Sequence, residues 1–441
     1  MLGYISKFLL GVLTSLYFFP FEFTFLPGYN TKKLMAAFSL VLWGYNLAKK
    51  RVFTTDRHLF VISVFAIIVS LIGAFTAVFN STPDYTYASY IVSMWVWLGA
   101  SYVVVNAIKA YHKTISVDLV CHYIIGVCVA QCVLALIIDN NIYIKEFVDT
   151  YVGGLGFVSQ DKLVMKDRLY GIGCSLDVAG TRFSAALVMI AAMLSKHKDC
   201  GSRRIYLYLA SFAIIGVIGN MIARTTTLGV MLAVLYWICK GLPFDMSVGR
   251  AAFSVFKRAV LMVLIVLPFM IHLYNTNYNV REDIRFAFEG FFSLAETGEW
   301  SVSSNDRLKT MYIFPDNAKT WIIGDGYFDG PTGKDPYYLG EVTMTGYYML
   351  TDVGYCRFIF YFGLIGLIAF MFFFLKVADV CVSKFPRDAL MFWLILGVNY
   401  AVWFKVATDI FLVFALFLSI DKEDNDEYEE MMDEEAAEIE G

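Results

Sequence analysis

Arg224 is the residue in this sequence whose type and place most clearly suggest chemistry. It sits in GNMIARTTTLGVML, where two apolar runs meet, with Asn220 and three threonines beside it. An ionisable group at membrane depth is costly, and by default it marks a functional site. The planar fork of an arginine also suits phosphate, because it donates two hydrogen bonds to phosphate oxygens at once. The competing reading is an arginine at a helix end that reaches out to the interface.

Two other stretches carry the same residue types. In KDRLYGIGCSLDVAGTRF, Arg168, Asp177 and Arg182 stand among Gly171, Gly173 and Gly180. Glycines let a backbone approach a ligand closely, and their exposed amides favour anions. An Asp177–Arg182 salt bridge that only pins the loop explains these residues equally well. The second stretch, about 277–354, is long and polar between apolar runs. Loops of that length are usually functional or disordered, and its Trp, Tyr and Phe content gives this one the means to pack as a roof over the membrane body. Arg281 and Arg285 lie four apart in REDIRFAFEGFF, on one face of a helix, where Glu282 and Asp283 also allow a solvated surface helix. Asn305-Asp306-Arg307 reads as a helix start that presents Arg307 near the loop base. Asp325 in IIGDGYF is a turn former or a carboxylate of the site. Asp352 in TDVGYCRF reads as a helix cap, and as the carboxylate at the junction of loop and spans that could take a proton from a hydroxyl. Arg357 follows just inside the next span.

The absences narrow the chemistry. Neither long external loop holds any of the five histidines, which argues against a histidine-based metal site or base there. There is no Walker loop and no nucleotide fingerprint, so a reaction at that face needs a pre-activated substrate. The eight cysteines show neither a disulfide framework nor a CxxC signature.

These residues must be positioned by membrane helices. The chain is 59% hydrophobic and 17% charged, with a mean hydropathy of +0.62, well outside the composition of soluble domains. The expected architecture is an all-α polytopic membrane protein of about twelve spans. Basic clusters after spans two, four and six put both termini in the cytoplasm by the positive-inside rule. Two long loops, at 139–175 after span five and 277–354 after span nine, then lie outside. The last apolar stretch, 390–420, is too long for one span of about 30 Å; Lys405 and Asp409 suggest an external turn within it. The tail 421–441 holds 12 acids and one lysine; removing its −11 from the chain's −4 leaves +7 on the body. The tail reads as a disordered, solvated cytoplasmic extension.

The whole pattern resembles the Wzy-type O-antigen and capsular polysaccharide polymerases, which are related to the WaaL-type O-antigen ligases. ARTTTLG is similar to that family's Ser-Arg-Thr-like motif, with Ala223 in place of Ser. Arg168-Leu-Tyr-Gly followed by Asp177 resembles its arginine-bearing external loop. IIGDGYF resembles its Gly-x-Gly element, and TDVGYCRFIFYFGLIGLIAF its segment entering span ten. Thr351-Asp352 stands where the ligases carry His-Asn, which favours a polymerase over a ligase. The resemblance implies a GT-C-like domain over 1–420 in the bacterial inner membrane. Its implied reaction is glycosyl transfer from undecaprenyl diphosphate to a sugar hydroxyl, without metal or cofactor. Arg224 and Asp352 are the implied catalytic pair, with Arg168, Arg182, Arg281, Arg307, Asp177 and Asp325 binding substrate. Implied partners are the lipid-linked glycan, a flippase and a chain-length regulator; nothing points to nucleic acid. A polytopic transporter is the alternative from another class, for which polar residues on broken helices at mid-membrane would be expected.

Overall fold

The computed structural model describes residues 2–50, 57–153, 168–196, 202–241, 271–330 and 346–427, with isolated positions beyond these. Most of the expected ninth span (259–273), the middle of each long loop and the basic clusters at 51 and 197–201 lie outside the described residues.

The described chain is overwhelmingly helical. Six helices are long and apolar enough to cross a membrane: α3 (Arg57–Phe79), α4 (Tyr90–His112), α5 (Val117–Asn140), α7 (Leu176–Lys196), residues Arg204–Ile222 of α8 (Ser202–Ile222), and α14 (Gly354–Lys384). The protein is therefore built for a lipid bilayer. Other expected spans fall on shorter or less apolar helices: α1 (Leu2–Phe18), α2 (Thr31–Lys50), α9 (Thr226–Gly241), α15 (Ala389–Val402) and α16 (Phe411–Leu418). Local chemistry sets many of the ends. Pro20 follows the end of α1, since proline cannot continue the hydrogen-bond ladder. Ser116 accepts from Leu119 N to cap α5, and Lys113 closes α4 in the left-handed region.

The bundle is organised on α7. Every residue from Ala179 to Leu194 is buried, so α7 presents no lipid-facing stripe. Small residues bring α9 against it: a Cβ on Gly229 would fall 2.3 Å from Ser184 Cα. At that approach the Ser184 hydroxyl donates to Thr225 O and accepts from Gly229 N. The contact thereby satisfies an amide of the first turn of α9, which has no partner within its own helix. Ion pairs bracket α7 at both ends against α15. At one end Lys196 meets Asp388 at 2.7 Å and Asp118 at 2.8 Å; at the other Asp177 meets Lys405 at 2.7 Å. A helix of 21 residues is about 31 Å long, close to the thickness of a bilayer's hydrocarbon core.

α14 is broken at Phe362 and Gly363, where Gly363 has φ +66°. The break frees the carbonyls of Phe360 and Tyr361, and the polar loop fills it: Asp325 N and Gly326 N donate to them at 2.6 and 3.0 Å. Thr76, Asn80 and Thr82, at the end of α3, donate to the carbonyls of Ile323, Gly324 and Gly326. A Cβ on Gly363 would lie 2.2 Å from Ile322 O. The Gly-x-Gly element is thus the anchor of the roof.

The described parts of the long loops are structured. The first continues from α5 into α6 (Ile142–Tyr151), and β2 (Val152–Gly153) pairs antiparallel with β1 (Glu22–Phe23). The described residues of the second include four short α-helices, α10 (Tyr278–Ala287), α11 (Glu289–Thr297), α12 (Ser303–Lys309) and α13 (Ala318–Ile322), three of them started by caps or turns at Asn277, Phe288 and Asn317. The acidic tail departs from expectation at its start. Lys109 pairs with Asp424, and Asn425, 2% exposed, accepts from Val117 N at 3.0 Å. Asn425 supplies a helix end with a partner it otherwise lacks, so residues 421–427 belong to the folded body. Nearly all of 428–441 lies outside the described residues.

Candidate functional site

One rim of the bundle gathers the candidate residues from four separate stretches. Asp177 opens α7, Thr225 and Arg224 form the α8–α9 turn, Lys405 lies between α15 and α16, and Asp352 sits just before α14. Asp177 is held by Lys405 and by the Thr225 hydroxyl, and Lys405 also donates to Thr225 Oγ1 at 3.1 Å. Asp177 therefore does not pair with Arg182, as a loop-pinning reading would require. Lys405 marks a turn in the sequence, and its role in this site was not legible there. A lysine in an apolar stretch was the available signal.

Arg224 ties the rim to the roof. Its Nε donates to Phe286 O at 2.8 Å and one terminal nitrogen to Ser304 Oγ at 3.0 Å. The other terminal nitrogen meets Glu289 Oε2 at 2.6 Å. Three of the five donors a guanidinium carries are thus committed, and a phosphate at Arg224 would have to displace Glu289 or share the remaining two. The Phe286 ring lies 3.9 Å from the Arg224 guanidinium carbon and 4.9 Å from that of Arg168, so two cations share one aromatic ring.

Arg168 and Arg307 differ from Arg224. Among the described residues neither guanidinium has an ion-pair or hydrogen-bond partner. Burial lowers the pKa of Arg168, and the like charge of Arg307 lowers it further, against the pull of Asp177. It remains a cation at any physiological pH. The charges of Asp177 and Arg307 both act on Arg168, and an anion that met both guanidinium groups would be stabilised by each.

Asp352 faces the same cluster. Its Oδ1 is buried with no hydrogen-bond partner among the described residues. Burial raises its pKa above the usual carboxylate range and the charge of Asp177 adds to this, while Arg357, Lys405 and Arg307 oppose it. Arg357 holds the adjoining loop: it donates to Phe328 O and to Asp329 Oδ1 at 2.7 Å, and its guanidinium carbon lies 3.7 Å from the Phe328 and 4.5 Å from the Tyr347 ring centroid.

Three expected site residues are not brought here. Arg281 is exposed and lies over the Tyr274 ring, 5.2 Å from its centroid, on the side of α10 where Arg285 pairs with Glu296. The helical face that meets the rim instead carries Phe286. Asp325 accepts from Lys319 Nζ at 2.8 Å, Thr320 Oγ1 at 2.7 Å and Tyr348 OH at 3.2 Å; it organises the roof anchor. Arg182, five residues after Asp177, turns to another face of α7 and stacks near Phe19. Among the described residues no cluster of histidine, cysteine and carboxylate side chains is arranged to hold a metal.

No protein-family model matches this chain, and no curated protein or solved structure matches it.

Proposed function

We propose that this chain is a membrane glycosyltransferase of the Wzy-polymerase type. In this reading it has about twelve spans in a GT-C-like arrangement, sits in the bacterial inner membrane, and keeps both termini in the cytoplasm. It extends O-antigen or capsular glycan on undecaprenyl diphosphate at the outer face, in company with a flippase and a chain-length regulator. The observation that carries the proposal is the uncommitted pair Arg168 and Arg307 beside Arg224, with the unpartnered carboxylate oxygen of Asp352 in the same cluster.

The chemistry follows from those groups. The bond between the anomeric carbon and the diphosphate oxygen breaks while an acceptor sugar hydroxyl forms the new glycosidic bond. The leaving diphosphate gains charge, which Arg168 and Arg307 neutralise, and Arg224 joins them when Glu289 swings away. The hydroxyl proton passes to Asp352, whose elevated pKa suits a general base. Because diphosphate is already a good leaving group, placed cations and orientation supply most of the rate.

Deleting the gene from its host and examining surface glycan tests the proposal. Single-repeat chains support a polymerase, free polymer on lipid carrier points to a ligase, and unchanged glycan removes both. Restoration of full-length glycan by an Arg168→Ala/Arg307→Ala variant would remove the assigned diphosphate site. The break in α14 favours a transporter as the second reading. Its freed carbonyls are occupied by the roof loop, however, and offer a coupling ion no ligands.

A further inference from the structure

An apolar crevice of about 220 Å³ opens beside the break in α14 and shares no residue with the charged rim. α3 supplies Leu71, Phe75 and Thr76 to its walls, α14 supplies Ile365, and the roof anchor supplies Ile322 and Ile323. Leu71, Phe75, Ile322 and Ile365 are all exposed in the protein, so the crevice is open on one side. The Thr76 hydroxyl donates to Ile323 O at 3.2 Å, which leaves the walls apolar.

Two of the three walls belong to helices that can cross a membrane, and their exposed apolar stripes continue from the crevice away from the roof. Val64, Ile68, Leu71 and Phe75 recur at helical spacing along α3, as Ile365, Ile368 and Phe372 do along α14, so each set lies on one face of its helix. From Val64 to Phe75 is about 16 Å of helix, the depth of one leaflet of a hydrocarbon core about 30 Å thick. An apolar cavity of about 150 Å³ already stays dry and takes benzene, so this larger one has room for several methylenes and no partners for water. Left empty, its walls would lose the dispersion contacts that an occupant supplies. In the membrane the open side meets lipid chains.

We propose that this crevice binds one acyl chain of a bilayer phospholipid, seated along the seam between α3 and α14 and packed against Ile322 and Ile323. The match to the depth of one leaflet selects an acyl chain over a polyprenyl chain, which is longer than a leaflet is deep. The bound chain completes the packing around the roof anchor, so the bilayer itself supplies one wall of the roof's attachment. The site is independent of the glycan reading, because no crevice residue belongs to the rim.

The test uses the full chain in phosphatidylethanolamine vesicles, a minor share of whose lipid carries a photoreactive diazirine in the acyl chain. After illumination and digestion, mass spectrometry locates the adducts. Bulk lipid labels any exposed apolar side chain, so Phe8 and Leu9 on α1, both exposed, serve as the reference. Labelling of Ile322 and Ile323 is expected in the wild type. Leu71→Trp and Ile365→Trp each fill the crevice from an exposed position, and each should lower that labelling at least tenfold while leaving Phe8 and Leu9 labelled as before. Native mass spectrometry of the chain extracted in mild detergent should show a phospholipid retained by the wild type and lost from either variant. Absence of label at Ile322 and Ile323 in the wild type overturns the proposal whether or not the variants fold, as does labelling or lipid retention that both tryptophans leave unchanged. A retained polyprenyl lipid in place of the phospholipid overturns the acyl-chain assignment.

Discussion

Replacing Arg224 with alanine removes the strap between bundle and roof, and its effect can be worked from the structure. The side chain reaches three roof elements: Phe286 in α10, Glu289 in α11 and Ser304 in α12. The bond to Glu289 is charge-assisted, worth about 1.5–3 kcal/mol, and the other two about 0.5–1.5 kcal/mol each. Arg224 is 12% exposed, but Glu289 is 32% exposed, so solvent screening lowers the ionic share. The expected loss is about 2–4 kcal/mol of roof docking, or roughly a 30- to 1000-fold rise in the open population. Amide hydrogen exchange reads this directly. Amides of α10 to α12 should exchange faster by that factor, while α5 and α7 keep their protection. Arg224→Lys keeps the charge and loses the fork, and should fall between. Unchanged protection over α10 to α12 would refute the strap, as would an equal rise across the whole bundle, which signals global destabilisation instead.

Further outcomes follow from single groups. Lys405→Met strands the Asp177 carboxylate and should lower stability by about 2–4 kcal/mol; adding Asp177→Asn should restore much of it, as thermal unfolding of both variants will show. Because the Asp352 pKa is raised in the fold, the native state holds that proton to higher pH than the unfolded chain. Stability should therefore fall as pH rises from the ordinary carboxylate value, about 3.9, through the raised one. Asp352→Asn should abolish that slope, and a wild-type-minus-variant difference that climbs with pH would reverse the sign and sink the assignment. Gly363→Ala must relieve contact with Ile322 O in a backbone region alanine rarely adopts, and should release the roof anchor, read as new protease cleavage around 322–326. Asn425→Ala removes the acceptor of Val117 N at the start of α5 and should cost about 1 kcal/mol, measured by thermal unfolding.

The sequence alone determined the solvent of this protein. Long apolar runs have no stable home but lipid or a core, so spans at about 58–79, 87–108, 117–138, 179–194 and 359–374 were legible from composition and length, and each falls largely on an observed helix. So was the break around Lys405, because a charge interrupts an apolar run wherever it falls. Arg224, Arg168, Arg307 and Asp352 were also legible as candidates, since a charge beside a membrane span needs a reason that can be read locally. Which of them meet was decided by tertiary structure. Asp177 and Arg182 are five residues apart, and the helical period turns them to different faces, so one faces Lys405 and Thr225 while the other faces Phe19 and the field of Asp409. Asp325 read as a turn former or a carboxylate of the site; Lys319, Thr320 and Tyr348 close around it because the loop enters a helix break that no local pattern announced. Lys405 and Asp177 stand far apart in the chain and meet because α7 and α15 pack side by side with charges at both ends. Partners at such separation depend on how helices cross, and a period of 3.6 residues encodes which face is apolar without saying which helix will cover it.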